Sequence, residues 1–469
     1  MTGRARTLPG VTVRTWLGAG MAALATLLAS CGSSGSEPAP AQTGAAPTST
    51  PAAGFQPTAA PTAPSQPKKL GTSSGVATTA KDPKFTALEG ATAHFGMLGR
   101  AAYQVEVPED WNNELVLYAH GFAGFGTEVA VQTPPAALRR YLIDHGYAWA
   151  ASSYSENGYV PGIGADDTLA LKELFAREFG QPEKTYLVGA SMGGNVVALA
   201  LENHGDAYDG GLAICGALMG IGQIDYLVSW VAAAEFTSGL DFPIGEPGGN
   251  LGSVFLTELP RELGPASNPT QKGKQFASIV KNLTGGPRPF FQEGFAEQYT
   301  VNFGLALLDP ERKLLVNRAA TNEGVEYDID EGLGLTDEQV NEGIRVFAAD
   351  PAARNAEAHP DAVPTTGKIS DPLLTLHNTG DLFVPISMEQ DYKEAVESAG
   401  KADLLVQRAI RAGGHCKFSG EELTTAFADL AAWVKDGKKP KGEDLSGDLR
   451  DVGREFTNPL RPGDPGGME

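Results

Sequence analysis

Cysteine and positive charge are both scarce in this chain. The 469 residues include three cysteines and seven histidines, and their spacing matches no zinc site. Lysine and arginine number 36 against 57 aspartates and glutamates, which gives a formal net charge of −21. A surface of this sign repels phosphate, and the chain has no glycine-rich phosphate-binding loop. Zinc chemistry and nucleic-acid binding are therefore not expected.

The apolar run near the N-terminus is too short for a stable membrane span. Arginines precede it, and it covers only residues 16–28, which is typical of a secretory signal. It ends in Leu28-Ala29-Ser30-Cys31, a string that resembles the lipobox of bacterial lipoproteins. We predict a signal peptide over residues 1–31, a lipid on Cys31 and a location on the outer face of a bacterial membrane. A plain signal peptide cut nearby, with Cys31 incidental, is the alternative.

Residues 32–82 are dominated by Ser, Ala, Pro, Thr and Gly. Such a composition buries too little apolar surface to offset chain entropy, so this segment is predicted to be a disordered tether. It contains the string Gly71-Thr72-Ser73-Ser74-Gly75, but no strand precedes that string and no apolar helix follows it. We therefore assign Ser73 no catalytic role.

Beyond the tether, short apolar segments alternate with helical ones, which is typical of a parallel sheet covered on both faces. The predicted strands are residues 114–119, 147–153, 185–188, 211–216, 373–377 and 404–410. The pattern stops for about 150 residues, which is too long for a connecting loop. The sequence predicts a core over residues 83–216 and 371–440, an inserted cap domain over 217–370 and a polar tail over 441–469.

The most informative stretch is Gly189-Ala190-Ser191-Met192-Gly193. It follows the apolar strand 185–188 and opens an apolar helical run. A strand, a Gly-x-Ser-x-Gly turn and a helix place the serine on a sharp bend, where its hydroxyl projects and larger flanking residues would collide. The pattern predicts that Ser191 is a nucleophile.

Residues 90–216 and 371–436 resemble the α/β-hydrolase family, in which the nucleophile, the acid and the histidine follow in this chain order. Asp381, in Gly380-Asp381-Leu382, follows strand 373–377, and His415 follows strand 404–410. The resemblance implies an α/β-hydrolase fold, with a mostly parallel sheet, helices on both faces and the large inserted cap. It also implies that His415 takes the proton of Ser191 and that Asp381 orients the imidazole.

The same resemblance implies an oxyanion hole. His120 and Gly121 follow strand 114–119, as in the family's oxyanion loop. The backbone N–H groups of Phe122 and Met192 would then bind the developing oxyanion. His120 itself is expected to pack within the loop rather than to act as a base.

Other ionisable side chains leave alternatives open. Asp225 could be the acid, because some relatives place it after the preceding strand. Asp371 stands before its strand, at the wrong edge of the sheet. His377 lies within an apolar strand, which is typical of a core histidine.

With Cys31 lipidated, Cys215 and Cys416 remain as an even pair in an oxidising compartment. Both are expected at one edge of the sheet, where a disulfide would hold the histidine loop. Two buried free thiols are the alternative. In tannase-like and feruloyl esterases the partner cysteine stands beside the serine, where this chain has Ala190, so that pattern is not matched.

Together these features predict an extracytoplasmic serine hydrolase that cleaves small-molecule carboxylic esters, with no cofactor and no metal. The acidic stretch at residues 327–332 departs from the calcium-loop pattern at Gly332 and is expected to be a solvated turn. A prolyl aminopeptidase-like peptidase is the alternative, because ester and amide hydrolysis use the same groups. A third possibility is a non-catalytic binding lipoprotein.

Overall fold

The computed structural model describes residues 68–243, 253–299, 302–303, 319–355 and 364–459. The strands are β1 (Thr79–Ala80), β2 (Ala91–Leu98), β3 (Ala101–Pro108), β4 (Glu114–Ala119), β5 (Glu128–Val129), β6 (Ala148–Ser152), β7 (Lys184–Ala190), β8 (Gly210–Ile214), β9 (Leu373–Gly380) and β10 (Leu405–Gly413). The helices are α1 (Ala136–Asp144), α2 (Pro161–Phe179), α3 (Met192–Asn203), α4 (Gly222–Ser238), α5 (Leu259–Leu263), α6 (Gln271–Leu283), α7 (Phe291–Gln298), α8 (Asp337–Gly343), α9 (Ser387–Ser398) and α10 (Gly420–Asp436).

Eight strands form one mixed sheet in the order β2-β3-β6-β4-β7-β8-β9-β10. The ladder from β6 to β10 is parallel throughout, whereas β3 pairs antiparallel with both β2 and β6. This is the strand order of the α/β-hydrolase fold, and the predicted fold class is confirmed.

The parallel part of the sheet is buried on both faces, as parallel strands require. Successive side chains of β4 point to opposite sides. Leu115 and Leu117 join the apolar cluster that includes α2 and α3, and Val116 and Tyr118 join the one that includes α1 and α10. With both faces covered, the carboxyl edge of the sheet is left for the loops that carry function.

The chain between β8 and β9, residues 217–370, is here called the insertion. Its helices α4, α6 and α7 pack around Trp230, whose ring lies 5.2 Å from that of Phe276 in a perpendicular arrangement. The same apolar cluster includes Leu382 and Val384, which follow β9 in the core. The core of the insertion is therefore continuous with the loop that follows β9.

Residues 68–80, assigned above to the tether, lie on the core and are here called the N-terminal strap. The Asp166 carboxylate in α2 accepts hydrogen bonds from the backbone N–H groups of Leu70 and Gly71. The buried Glu156 accepts from both the N–H and the hydroxyl of Ser74. The described part of the predicted tether is thus fastened to the loops beside α2.

The described part of the predicted C-terminal tail also packs on the core. Leu445, Leu449 and Val452 form an apolar cluster with Ile386 and Ala409.

Across the described ranges, none of the helices has the length and apolar character needed to cross a bilayer.

Candidate active site

Ser191 occupies the turn between β7 and α3. Its φ of 58° lies in the left-handed region, which is unusual for a residue with a side chain. The turn is tight, because a Cβ on Gly189 would lie 2.1 Å from the carbonyl oxygen of Gly193, and one on Gly193 would lie 2.0 Å from that of Ala119. Only glycine fits at these two positions, which explains the motif.

Three side chains from three separate turns meet beside this bend. The Oγ atom of Ser191 lies 2.8 Å from Nε2 of His415, and Nδ1 of the same ring lies 2.5 Å from Oδ2 of Asp381. Ser191 follows β7, Asp381 follows β9 and His415 follows β10, so all three stand at the carboxyl edge of the sheet. The geometry allows a proton to pass from the hydroxyl to an imidazole that a carboxylate orients.

The second oxygen of the Asp381 carboxylate is held by its own loop. Oδ1 accepts hydrogen bonds from the backbone N–H groups of Phe383 and Val384, at 2.9 and 3.0 Å. The carboxylate is fully buried. Its direction toward His415 is therefore set by the backbone of residues 382–384, here called the acid loop.

The loop that carries His415 is tied down on both sides. Cys416 forms a disulfide with Cys215, which follows β8. The buried Asn378 in β9 donates to the carbonyl oxygen of Lys417 at 3.0 Å and accepts from its N–H at 2.7 Å. These links hold the imidazole between Ser191 and Asp381.

Removing the disulfide is expected to lower both stability and turnover. The bond closes a loop of about 200 residues, so the double variant Cys215→Ala/Cys416→Ala should lose about 2–5 kcal/mol of unfolding free energy. Turnover should also fall, because the histidine loop then loses its covalent link to the end of β8. Denaturant unfolding and steady-state kinetics measure the two effects. Reductant should weaken the native protein and leave the double variant unchanged, and an insensitive native protein would contradict the expectation.

The loop after β4 passes directly beside the nucleophile. A Cβ on Gly121 would lie 3.1 Å from the Cβ of Ser191, so the Phe122 residue that follows is adjacent to the bend. Met192 is the first residue of α3, where backbone N–H groups are free of helical partners. Both residues of the predicted oxyanion hole thus lie close to this bend, Phe122 after Gly121 and Met192 after Ser191.

His120 is buried and packs within this loop. Its ring stacks on Tyr154 with the centroids 3.9 Å apart, and the Tyr154 hydroxyl donates to the His120 carbonyl oxygen. Burial lowers the pKa of His120. A neutral, stacked imidazole that contacts neither Asp381 nor Ser191 supports the loop rather than the chemistry.

His377 belongs to a buried polar cluster beneath the acid loop. Its Nε2 lies 2.9 Å from the carbonyl oxygen of Val384, which can only accept, so Nε2 carries a proton. Nδ1 lies 3.2 Å from the Glu389 carboxylate, which also accepts from Thr375 and Gln407. Burial acts to lower the pKa of His377, but the bond to Glu389 and the negative charges of Glu389 and Asp381 outweigh it and raise that pKa.

This cluster predicts a pH-dependent contribution to stability. A raised pKa in the folded state means that His377 contributes its full stabilisation below about pH 6.5 and loses it as the pH rises through the folded value. The difference in unfolding free energy between the native protein and His377→Gln should therefore shrink above pH 6.5. Denaturant unfolding across pH 5.5–9 measures it, with the exposed His145→Gln as control. A difference that grows with pH would contradict the assignment.

The other candidate side chains are placed elsewhere. The Asp225 carboxylate is paired with Arg354, with the closest atoms 2.6 Å apart, and does not contact His415. Asp371 lies before β9, at the opposite edge of the sheet from Ser191. The Ser73 hydroxyl donates to the Glu156 carboxylate. Cys31 lies outside the described residues.

Among the described residues, one group of three metal-ligating side chains comes together: Cys215, His415 and Cys416. Its sulfur atoms are bonded to each other, and its imidazole nitrogens contact Ser191 and Asp381. These atoms are therefore engaged in the arrangement already described. In the acidic stretch 327–332, Asp330 pairs with Lys281.

Some polar side chains around Asp381 have no signature in the sequence. Arg288 of the insertion is buried, and its Nε donates to the carbonyl oxygen of Thr379 at 2.7 Å. Burial lowers the pKa of Arg288 to about 10, although Tyr226 and Asp381 act in the opposite direction. Gln298 accepts from the N–H of Leu382. None of these residues belongs to a recognisable motif, and only the folded chain shows that they surround the acid.

The chain is similar to known hydrolases. It is 21% identical to the o-phthalyl amidase of Xanthobacter agilis, over 73% of this chain and 87% of that protein. Among solved structures it is similar to feruloyl esterase B from Aspergillus oryzae, with 12% identity, a TM-score of 0.44 and coverage of 73% of this chain and 80% of that one. It is also similar to the acylaminoacyl peptidase of Pyrococcus horikoshii, with 13% identity, a TM-score of 0.40 and coverage of 76% of this chain and 44% of that one. No protein-family profile matches the chain.

Proposed function

We propose that this protein of α/β-hydrolase fold is a serine hydrolase that cleaves carboxylic esters through an acyl-enzyme on Ser191. One observation carries the proposal: the hydroxyl, the imidazole and the carboxylate of Ser191, His415 and Asp381 are joined in sequence by hydrogen bonds of 2.8 and 2.5 Å. Serine is a weak nucleophile by itself, and an adjacent, oriented base is what activates it.

The proposed reaction has two halves. The Oγ atom of Ser191 attacks the ester carbonyl while its proton passes to Nε2 of His415, and the carbonyl π electrons move to the oxygen. The N–H groups of Phe122 and Met192 bind that oxyanion. Its collapse breaks the bond to the alcohol, which leaves with the proton from His415. Water then attacks the acyl-enzyme in the same way and releases the acid.

Amide cleavage is the second candidate, because the relative named above is an amidase. The same groups serve both reactions, since only the leaving atom differs. We favour esters because the ester carbonyl is less stabilised by resonance than an amide, and because an alkoxide leaves more readily than an amide anion.

A substrate panel tests the proposal. Residues 68–469 are incubated with p-nitrophenyl esters of increasing acyl length and with aminoacyl-anilides, and a fluorophosphonate probe reports the nucleophile directly. We expect ester turnover and labelling. Anilide turnover without ester turnover would make the amidase assignment correct, and folded protein that neither turns over substrate nor takes the label would favour a binding protein.

We also propose that the chain is anchored to the outer face of a bacterial membrane by a lipid on Cys31. The string Leu28-Ala29-Ser30-Cys31 supports this. Full-length protein expressed in a bacterial host with an alkyne fatty acid should incorporate the label, and Cys31→Ser should not. A native protein that stays unlabelled would contradict the anchor.

A further inference from the structure

The backbone of the acid loop is held by side chains rather than by other backbone groups. Its residues Leu382, Phe383 and Val384 have six backbone N–H and C=O groups, and each of the six is hydrogen-bonded to a side chain. Asp381 accepts from two of the N–H groups, and His377 donates to the carbonyl oxygen of Val384. The remaining three groups are bound by side chains of the insertion.

These contacts are short and buried. Gln298 Oε1 accepts from the N–H of Leu382 at 2.5 Å, and Gln223 donates to the carbonyl oxygen of Phe383 at 2.7 Å. Asn302 and Tyr226 both donate to the carbonyl oxygen of Leu382, each at 2.6 Å. The most exposed of the four side chains, Tyr226, is only 6% exposed. Water cannot easily replace a lost partner here, so the loop would have to move to find another.

We infer that four side chains of the insertion are positioning residues for the carboxylate of Asp381: Gln223, Tyr226, Gln298 and Asn302. This rests on the proposed function, in which Asp381 orients His415. The N–H groups that fix Oδ1 belong to the same peptide chain that the insertion holds by its carbonyl oxygens. A shift of the Leu382 or Phe383 peptide therefore turns the carboxylate away from Nδ1 of His415.

Charge adds to this arrangement. Arg288, also in the insertion, donates to the carbonyl oxygen of Thr379, two residues before the acid, and carries a buried positive charge. The positive charge of Arg288 and the carboxylate of Asp381 attract each other. The insertion thus acts on Asp381 in two ways, in addition to any contact it makes with substrate. Its side chains hold the backbone of the acid loop, and its buried positive charge attracts the carboxylate.

The test compares two hydroxyl groups that the insertion buries. Tyr226→Phe removes one of the two donors to Leu382, whereas Tyr299→Phe removes a donor to Gly264, which lies within the insertion. Both tyrosines are less than a tenth exposed. Tyr226→Phe should lower kcat about threefold with KM unchanged, because Asn302 still holds Leu382, while Tyr299→Phe keeps the native kcat.

A matched pair of double variants enlarges the effect. Tyr226→Phe/Asn302→Leu removes both donors to Leu382, and kcat should fall about 30-fold or more. Tyr299→Phe/Asn322→Leu also removes one hydroxyl and one buried carboxamide, but Asn322 bonds to Tyr327 and Arg345 inside the insertion. Thermal unfolding of each variant shows the stability change. Equal kcat losses in the two doubles, or losses that track the melting temperature, would overturn the inference.

A readout independent of turnover separates this inference from the proposed function. The Nδ1–H proton that His415 donates to Asp381 should give a low-field NMR signal in the native protein and in Tyr299→Phe, and a shifted or broadened one in Tyr226→Phe. If the native protein is inactive but the NMR signal still differs between Tyr226→Phe and Tyr299→Phe, the proposed function is contradicted and the positioning role is supported. An unchanged signal in Tyr226→Phe, or in the double variant with Asn302→Leu, would contradict the positioning role.

Discussion

Replacing Ser191 with alanine is expected to lower kcat toward ester substrates by about six orders of magnitude. The variant keeps His415 and Asp381 but has no nucleophile for the imidazole to activate, and the loss of the serine costs about as much as losing all three members of such a unit. Alanine keeps the Cβ atom of serine and removes only the hydroxyl, so the fold should be unaffected. Steady-state kinetics and fluorophosphonate labelling measure the loss.

The chain supplies its own control in the other Gly-x-Ser-x-Gly string. Ser73 lies in the N-terminal strap, and its hydroxyl donates to Glu156 rather than to a histidine. Ser73→Ala should keep kcat and the label. Persistent labelling of Ser191→Ala would show that another side chain is the nucleophile.

Replacing Asp381 with asparagine is expected to lower kcat by about 10⁴-fold, the cost of losing the oriented imidazole tautomer in a triad of this type. The amide nearly matches the carboxylate in shape and still accepts from the acid loop through its oxygen. Its NH2 group cannot accept the Nδ1–H of His415, so the ring is held with the wrong nitrogen protonated. Steady-state kinetics with an ester substrate measure the loss, and thermal unfolding checks that the variant is folded.

Asp225→Asn is the matched control, because Asp225 is the alternative acid that the sequence leaves open. The structure pairs it with Arg354, and the variant should lose unfolding free energy, since a half-buried guanidinium loses its negatively charged partner. Its kcat should stay close to the native value. A large loss of kcat in Asp225→Asn together with a small one in Asp381→Asn would reverse the assignment.

The sequence predicts the sheet and the three reacting side chains because each depends on a local pattern. An apolar strand followed by Ser191, Asp381 or His415 can be recognised without knowing what packs around it. The ends of the strands, by contrast, depend on what packs against them. β9 reaches Gly380 rather than residue 377, because its polar end is buried under the insertion and keeps its ladder with β10.

Helix starts show the same limit. The apolar spacing of residues 166–179 predicts a helix. In the structure this helix, α2, begins at Pro161, since proline is favoured in the first turn and the small Gly162 and Gly164 are buried there. Proline and glycine dominate residues 161–165, and both are typical of turns rather than helices, so the helical pattern is not visible there. Packing against Tyr154 and Val196, which the sequence does not reveal, selects the helix.

The partners of the acid loop could not be predicted. Gln298 and Asn302 lie about 80 residues from Leu382 along the chain, and single amides of this kind carry no spacing rule. The N-terminal strap was likewise hidden by its composition. A segment rich in serine, glycine and threonine is typical of a linker. Here, however, its backbone N–H groups and hydroxyls donate hydrogen bonds to the carboxylates of Asp166 and Glu156.

The strap also determines where tension on the N-terminal part of the chain would be borne. A pull along residues ahead of Leu70 meets the bonds to Asp166 first and then those to Glu156, before the two-residue pairing of β1 with β5. These fastenings lie outside the eight-stranded sheet, so the mechanical load reaches the start of α2 and the adjacent loop rather than β7, β9 or β10. Force on that end of the polypeptide would therefore be carried first by two side-chain carboxylates, not by the strands that lead to Ser191, Asp381 and His415.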